Sequence, residues 1–271
     1  MKLIDSGPVL LDLDTEADAV GVGHLRLNRP EASNGMDVPF LRAFYDAIMI
    51  AYGHPDLRVL LLSGEGPHFC AGGDVKTFAS KGEALPDYLR EVTSWLQICA
   101  QGLLNLRAPV IAAVHGYVAG GGGFGLVCAS DIVLAAESAK FISGATRVGM
   151  IPDAGSTVTL PRIVGVRKAM EIFLTNPALT AADAYEIGLV TRVVPDLSLR
   201  DEAYALARKL ASGAPLAMGA TKRLVWSGLG GRVEAQLPEE ARTVSELSGT
   251  ADAREGLAAV IERRKPRFIG H

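Results

Sequence analysis

The amino-acid sequence predicts an α/β core followed by a helical region. Short apolar runs, typical of buried strands, alternate with amphipathic stretches, typical of helices, through the first part of the chain. Such alternation implies crossover units packed in layers around a core. After about residue 195 the strand pattern stops and only helical patterns follow. We therefore divide the chain into residues 1–195 and residues 196–271.

Periodicity places the elements of both regions in order. We expect strands at 8–13, 21–27, 58–63, 110–114 and 131–136. Helices are expected between them, at about 37–53, 88–107 and 122–130. In the second region helices are expected near 199–212, 214–227, 233–247 and 250–264. These last helices carry more than one apolar face, which predicts that they close over a site or build an oligomer interface.

Composition excludes several classes of function. The chain has 271 residues, of which 49% are hydrophobic, so it can bury a sizeable core. Its 27 basic residues nearly balance 30 acidic ones and are scattered, which argues against a nucleic-acid partner. No apolar run reaches the roughly 18 residues that cross a bilayer, and the N-terminus lacks the apolar segment of a signal peptide. We expect a cytoplasmic protein with no membrane partner.

The cysteines and histidines indicate neither disulfides nor a metal. Cys70, Cys99 and Cys128 are odd in number, far apart and set among apolar neighbours. Cys70 lies in a glycine-rich turn, but no His or acid at a recognisable spacing activates it, so we interpret it as a packing residue. The histidines show no ligand spacing either. We expect no metal site.

Two glycine-rich turns, at 66–74 and 116–125, are the most informative local feature. Each follows an apolar run that is predicted to be a strand, and the second leads into a predicted helix. Glycine permits positive φ and close backbone approach, so each turn can direct free backbone N–H groups at a shared point. Two such N–H groups would form an oxyanion hole, which stabilises negative charge on a carbonyl oxygen.

Two other interpretations of these turns remain open. A glycine-rich turn between a strand and a helix often serves only as a tight connection. The second turn also has the G-x-G-x-x-G spacing at Gly120, Gly122 and Gly125, with Glu137 downstream, as in dinucleotide-binding folds. That fingerprint normally opens its domain, whereas here about a hundred residues with their own strands precede it. The position of the turn therefore argues against a dinucleotide cofactor.

Five motifs, in order along the chain, carry a resemblance to a known family. They are 27–37 (LNRPEASNGMD), 69–74 (FCAGGD), 109–116 (PVIAAVHG) with the glycines that follow, 151–155 (IPDAG) and 263–268 (RRKPRF). Together they resemble the enoyl-CoA hydratase/isomerase family, also called the crotonase superfamily, over nearly the whole chain. The resemblance implies a spiral of ββα units in residues 1–195 and a helical trimerisation region in residues 196–271. It also implies an acyl-CoA substrate, no separate cofactor because coenzyme A is part of that substrate, and a homotrimer or hexamer.

The resemblance also assigns roles to single residues. It places the oxyanion hole on the N–H groups of Gly73 and of a glycine in the second turn, where Gly122 is favoured over Gly121 by its position at a helix N-terminus. The remaining residues that it implies for substrate binding are Ala32, Ser33, Ala71, Asp74, Val75, Gly121, Lys265 and Phe268. Asp74 has a second interpretation, because it precedes a predicted helix and its side chain is suited to cap it.

The chain departs from the family at the acid/base residues. Hydratases of this family carry two glutamates that activate water, and the matching positions here are Gly125 and Ala145. Asp153 is the replacement candidate, because some 3,2-enoyl-CoA isomerases of the superfamily place a proton-shuttling carboxylate in this turn. A carboxylate buried in an apolar pocket has a raised pKa, which suits that task. Alternatively, Asp153 only orders the turn or caps the helix that follows.

Double-bond isomerisation is therefore the expected reaction, with hydratase or lyase activity as the alternative. A dehalogenase of the superfamily would also use an aspartate at this place. The tryptophan that those enzymes carry is replaced by Ala145, so we do not expect that reaction. A homologue that binds acyl-CoA without catalysis is the remaining alternative.

Overall fold

The computed structural model describes residues 1–15 and 20–271 and confirms the α/β class. Its strands are β1 (Lys2–Ile4), β2 (Val9–Leu13), β3 (Val22–Leu27), β4 (Val59–Gly64), β5 (Val110–Val114), β6 (Tyr117–Ala119), β7 (Ile132–Ala136), β8 (Lys140–Ile142), β9 (Leu179–Thr180) and β10 (Arg192–Val194). The five predicted strands correspond to β2, β3, β4, β5 and β7. Because β1, β6, β8, β9 and β10 have only two or three residues each, they show no periodicity from which they could be predicted.

The main sheet has seven strands in the order β1-β2-β3-β4-β5-β7-β10. It is parallel from β3 onward, whereas β1, β2 and β3 pair in antiparallel fashion. Every residue of β5 is buried, as expected for a parallel strand that is covered on both faces. The carboxyl ends of β4 and β5 therefore lie side by side at one edge of the sheet.

A smaller sheet, β6-β8-β9, stands at that edge. After β5, and again after β7, the chain adds a short strand to the smaller sheet and then continues into a helix. This ββα unit occurs as β5-β6 and again as β7-β8, each followed by a helix. After β4 the second strand is reduced to a single bridge, Cys70 to Val118. The repeated unit brings successive turns to the same place.

Seven of the helices confirm the predicted segments, with small differences at their ends, and the helices Val75–Ala79, Ser156–Val164, Val166–Thr175 and Ala181–Glu186 lie outside those segments. They are α1 (Val38–Gly53), α2 (Val75–Ala79), α3 (Leu85–Asn105), α4 (Gly120–Cys128), α5 (Ser156–Val164), α6 (Val166–Thr175), α7 (Ala181–Glu186), α8 (Leu199–Ala211), α9 (Pro215–Gly228), α10 (Val233–Ser248) and α11 (Ala251–Glu262). The largest difference is the start of α3, predicted at 88, where Pro86 occupies the first turn because its missing N–H costs nothing there.

Hydrophobic residues fill both faces of the main sheet. On one face, side chains of α1, α3 and α4 such as Phe44, Leu103 and Phe124 are fully or almost fully buried against β4 and β5. On the other face, Ala203 and Leu206 of α8 pack against the sheet. The last strand ends at Val194, as the division at residue 195 requires. However, α8 lies after that division and packs against the sheet, so the division stays a prediction.

Helix α9 is attached to the core by a buried ion pair. The Lys222 Nζ lies 2.8 Å from Asp131 Oδ2 and donates to the Leu103 carbonyl at 2.8 Å. The other Asp131 oxygen accepts a hydrogen bond from the Trp226 indole at 2.7 Å. Beyond α9, helix α11 exposes Leu257, Val260 and Ile261. No helix in the described parts of the chain is long and apolar enough to cross a membrane.

Candidate active site

The two glycine-rich turns meet at the carboxyl edge of the sheet. The first turn follows β4 and the second follows β5. Because these strands are adjacent and parallel, their carboxyl ends lie at the same edge of the sheet. The Ala119 N–H donates to the Cys70 carbonyl at 2.9 Å, which joins the turns directly. The Gly72 and Gly120 backbones touch, since a methyl group placed on Gly120 would lie 3.2 Å from the Gly72 Cα. The prediction that both turns face one point is consistent with this contact.

Two side chains of the segment before α1 hold the first turn in place. Asn34 is fully buried, and its Nδ2 donates to three carbonyl groups of residues 65–69 at 2.9 to 3.0 Å. Arg29 forms ion pairs with Asp37 at 2.8 Å and with Asp74 at 3.0 Å. Sequence reasoning assigned neither residue a role. The only signal was their place within the first motif, because their partners are distant in the chain.

Met36 contacts both turns. Its N–H donates to the Gly72 carbonyl at 2.8 Å, and its carbonyl accepts from the Asp74 N–H at 3.0 Å. On the other side, a methyl group placed on Gly122 would lie 2.9 Å from the Met36 Sδ. The thioether therefore packs against the first turn of α4. This contact was also missed from the sequence.

The candidate donor groups have no acceptor in the described residues. Gly73 lies between the two backbone bonds that Met36 makes, so its own N–H points away from Met36. Gly122 lies in the first turn of α4, where N–H groups have no partner inside the helix. The N-cap residue, Ala119, has no side chain that could accept them. Two backbone N–H groups are thus available at neighbouring points, as an oxyanion hole requires.

Asp153 lies directly against the second turn. A methyl group placed on Gly121 would coincide with the Asp153 carboxylate, so that carboxylate contacts the Gly121 Cα. Burial raises the pKa of Asp153 above its ordinary value, and the only hydrogen bond that opposes this among the described residues comes from its own backbone N–H. The carbonyl of Asp153, not its side chain, accepts from the Ser156 N–H at 2.9 Å. The alternative in which the carboxylate caps α5 is therefore wrong.

Gly125 and Ala145, the positions that match the glutamates of hydratases, have no side chain that can move a proton. A methyl group on Gly125 would lie 2.5 Å from the Ala154 Cβ. Ala145 opens the 3₁₀ turn that precedes the Asp153 segment. Ala154 itself has a φ of 51°, a left-handed conformation that is unusual for alanine and fixes the direction of the turn after Asp153. Asp153 is thus the acid/base candidate at the two turns.

Ala32, Ser33, Ala71, Asp74 and Val75, which are predicted to bind the substrate, lie in or beside the first turn. The Ala71 N–H donates to the Ser33 carbonyl at 2.9 Å, and Ala32 lies in the adjacent 3₁₀ turn. Val75 is 61% exposed. The second interpretation of Asp74 is confirmed, because its Oδ1 accepts from the Thr77 N–H at 3.1 Å and caps α2.

The charge of Asp74 is stabilised by its partners. Burial alone would raise the pKa of Asp74, but the hydrogen bonds from Thr77 and the ion pair with Arg29 hold it below the ordinary value. Asp74 is thus an ionised carboxylate that orders the first turn, in contrast to Asp153.

Lys265 and Phe268 lie far from the two turns. The Phe268 carbonyl accepts from Arg58 at 3.1 Å, and Arg58 precedes β4, whereas the first turn follows it. A six-residue strand spans roughly 20 Å, so this tail lies at the opposite edge of the sheet from the turns. Within one chain the structure does not bring Lys265 and Phe268 to the turns. Their role in binding stays a prediction.

The cysteine thiols are not suited to act as nucleophiles at this site. Cys70, Cys99 and Cys128 are buried, and burial raises the pKa of each thiol to about 12. The interpretation of Cys70 as a packing residue is confirmed, because a thiol with this pKa is not a nucleophile at neutral pH. No cluster of three or more possible metal ligands occurs in residues 1–15 and 20–271.

Comparison with known proteins places this geometry in a family. The family model described as enoyl-CoA hydratase/isomerase matches residues 17–271. A probable enoyl-CoA hydratase from Rhodobacter capsulatus is 38% identical over 250 residues, which cover 92% of this chain and 95% of the relative. The 1,2-epoxyphenylacetyl-CoA isomerase of Escherichia coli is 38% identical over 253 residues, which cover 92% of this chain and 95% of that relative.

Solved structures agree with the sequence relatives. The crystal structure of enoyl-CoA hydratase from Bacillus anthracis matches with a TM-score of 0.91 and 32% identity, covering 98% of this chain and 100% of that one. The crotonase-like fold predicted from the motifs is confirmed by this match. The names of the relatives include both hydratases and isomerases, so they do not decide the reaction.

Proposed function

This chain belongs to the enoyl-CoA hydratase/isomerase family, and on that premise we propose that it shifts a double bond in an enoyl-CoA thioester. The N–H groups of Gly73 and Gly122 bind the thioester oxygen. Asp153 removes a proton from one carbon of the acyl chain and returns it to another. The observation that carries the proposal is the half-buried Asp153 carboxylate, which has a raised pKa and lies against the turn that bears Gly122.

The chemistry follows from the two elements of the site. Hydrogen bonds to the thioester oxygen draw electron density onto it and make the adjacent carbon more acidic. Proton loss then gives an enolate whose oxygen is held by the same N–H groups. A carboxyl group with a raised pKa can accept this proton and give it back at the far end of the conjugated system. No water is consumed, which agrees with the absence of glutamate at Gly125 and Ala145.

The name of one relative supports isomerase chemistry. The Escherichia coli protein is named as an isomerase of a coenzyme A thioester. A relative from Arabidopsis thaliana, 32% identical over 258 residues, is named as a dienoyl-CoA isomerase. Hydratase or lyase activity with unusual acid/base residues is the alternative, since the Rhodobacter capsulatus relative is named as a probable hydratase.

Turnover of a substrate panel tests the reaction. Purified protein is incubated with 3-enoyl-CoA, 2-enoyl-CoA and aromatic acyl-CoA thioesters, and products are separated by chromatography. We expect conversion of 3-enoyl to 2-enoyl thioesters without formation of 3-hydroxyacyl-CoA. Hydration of 2-enoyl-CoA at a comparable rate would contradict the proposal. Binding of all thioesters without turnover would support the homologue that has lost catalysis.

The role of Asp153 is tested in the same assay. Asp153→Asn keeps the size of the side chain but cannot accept a proton, so isomerisation and exchange of the α-proton with deuterated water should fall by about 10²–10⁴. Substrate affinity should change little. Equal exchange rates in the wild type and the variant would remove Asp153 from the mechanism.

A further inference from the structure

The glycines of α4 face different neighbours, and one of them faces the candidate acid/base group. A methyl group on Gly122 would meet the Met36 Sδ and the Gly72 backbone, and one on Gly123 would meet the Cys70 backbone. One on Gly125 would meet the Ala154 methyl group. Gly121 differs from these three, because the space where its side chain would stand is filled by the Asp153 carboxylate.

The overlap at Gly121 involves the whole carboxyl group. The added methyl carbon would coincide with Oδ1 and would lie 2.5 Å from Cγ and 3.0 Å from Oδ2 of Asp153. No rotation of the carboxylate about its own axis removes such a contact. The side chain would have to leave the position beside the first turn of α4.

The backbone of Asp153 cannot follow such a movement at low cost. Its carbonyl accepts hydrogen bonds from both the N–H and the Oγ of Ser156, at 2.9 and 2.7 Å. The next residue, Ala154, is 4% exposed, and its methyl group packs against Gly125. A side chain at position 121 therefore displaces the carboxylate and leaves the turn where it is.

We infer that Gly121 is a positioning residue, which admits the Asp153 carboxylate to the α-carbon side of the oxyanion hole; its effect on catalysis rests on the function proposed above. Gly121 immediately precedes Gly122, the candidate donor. Because position 121 has no side chain, the Asp153 carboxylate can lie next to the residue that carries the donor N–H group. In this assignment Gly121 contributes space and not an N–H group.

A double-mutant cycle between positions 121 and 153 tests this inference. The proteins are the wild type, Gly121→Ala, Asp153→Ala and the double variant, each measured for melting temperature, kcat, KM and deuterium exchange at the α-carbon. Alanine keeps the backbone N–H, so any loss in Gly121→Ala is not the loss of a donor. Gly53→Ala is the matched control, because Gly53 ends α1 and has open space around its Cα.

The expected result is strong coupling between the two positions. In the wild-type background Gly121→Ala should lower the melting temperature and lower kcat and exchange at least tenfold, with a smaller change in KM. In the Asp153→Ala background the same change should leave the melting temperature unchanged or raise it, since alanine favours a helix over glycine. Gly53→Ala should keep activity and show no coupling.

Equal losses of melting temperature in both backgrounds would overturn the inference, because the added methyl group would then collide with something other than the carboxylate. Full exchange activity in Gly121→Ala would overturn it as well. If Gly121→Ala alone fails to fold, a folded double variant still supports the inference, and an unfolded one contradicts it. Failure of the proposed function is a separate outcome: the wild type would then exchange no proton with any thioester, while the coupling in melting temperature would persist.

Discussion

At the scale of single residues, the pKa values of two aspartates of the site are shifted in opposite directions. Asp153 is half-buried without a hydrogen-bond partner from another residue in the described chain, and its partial burial raises its pKa. Asp74 is held in its ionised form by Thr77 and Arg29, and its pKa is lowered. The difference follows from hydrogen bonding and not from the residue type. It separates a carboxyl group that can exchange a proton from one that keeps its charge.

The first prediction follows from the sign of these shifts. A raised pKa means that the folded protein binds the proton of Asp153 more tightly than the unfolded chain does. The associated stability is present below the ordinary pKa and is lost as pH rises through the raised one. Asparagine does not ionise, so the Asp153→Asn variant does not lose stability on ionisation. At about pH 8 it should therefore be more stable than the wild type, and the difference in stability should shrink towards about pH 4. Melting curves across this range provide the measurement.

Asp74→Asn is the matched control for that prediction. The lowered pKa of Asp74 contributes stability above the ordinary pKa, which is lost as pH falls. This variant should therefore be less stable than the wild type at neutral pH, the reverse of Asp153→Asn. A destabilised Asp153→Asn at neutral pH would show that its carboxylate is stabilised by contacts that burial alone does not explain.

At the scale of elements, the first turn can be tested separately from the base. Gly73→Pro removes the donor N–H, and loss of one such donor typically lowers kcat by about 10²–10³. Gly73→Ala keeps the N–H but makes the same close approach to the Phe78 ring, 2.5 Å from Cζ, so it controls for that contact. Steady-state kinetics should show a large loss of kcat for proline and a small one for alanine. Equal losses would assign the effect to Phe78 and not to the donor.

The attachment of α9 supplies a prediction about stability. Lys222 is 7% exposed, and its removal leaves the half-buried Asp131 without a counter-ion. Burial lowers the pKa of Lys222, and the Asp131 carboxylate opposes this by stabilising the charged amine. Lys222→Ala should lower the free energy of unfolding by about 3–5 kcal/mol, measured in urea. Arg232→Ala, at an exposed ion pair, should change it by less than about 1 kcal/mol, and similar losses would contradict the assignment.

The elements also show what sequence could and could not provide. The apolar run at 110–114 matched β5, and the glycine turns and Asp153 were located by motif. Met36 and Asn34 could not be assigned, since their partners lie in turns that only folding brings close. The strands of the smaller sheet were missed because two or three residues have no period to detect. Spacing along the chain identified the groups, and packing determined which of them touch.

At the scale of the whole molecule, the exposed apolar residues of the C-terminal helices predict an oligomer. Leu257, Val260 and Ile261 are 69 to 81% exposed on α11. Their burial in an interface would stabilise association by roughly 25 cal/mol per Å². We expect a trimer or hexamer by light scattering at micromolar concentration. A monomer would contradict this and would leave Lys265 and Phe268 without a neighbouring site to complete.

The three buried thiols have a practical consequence for the study of this reaction. A double-bond shift leaves the thioester intact and releases no free thiol, so a thiol reagent added to the assay reports only on the cysteines of the protein. Here Cys70, Cys99 and Cys128 are enclosed by the core, with pKa values near 12. The native protein should not react with thiol reagents, and three thiol groups per chain should react only after denaturation. The same reagent can thus report loss of the fold under the conditions of the assay.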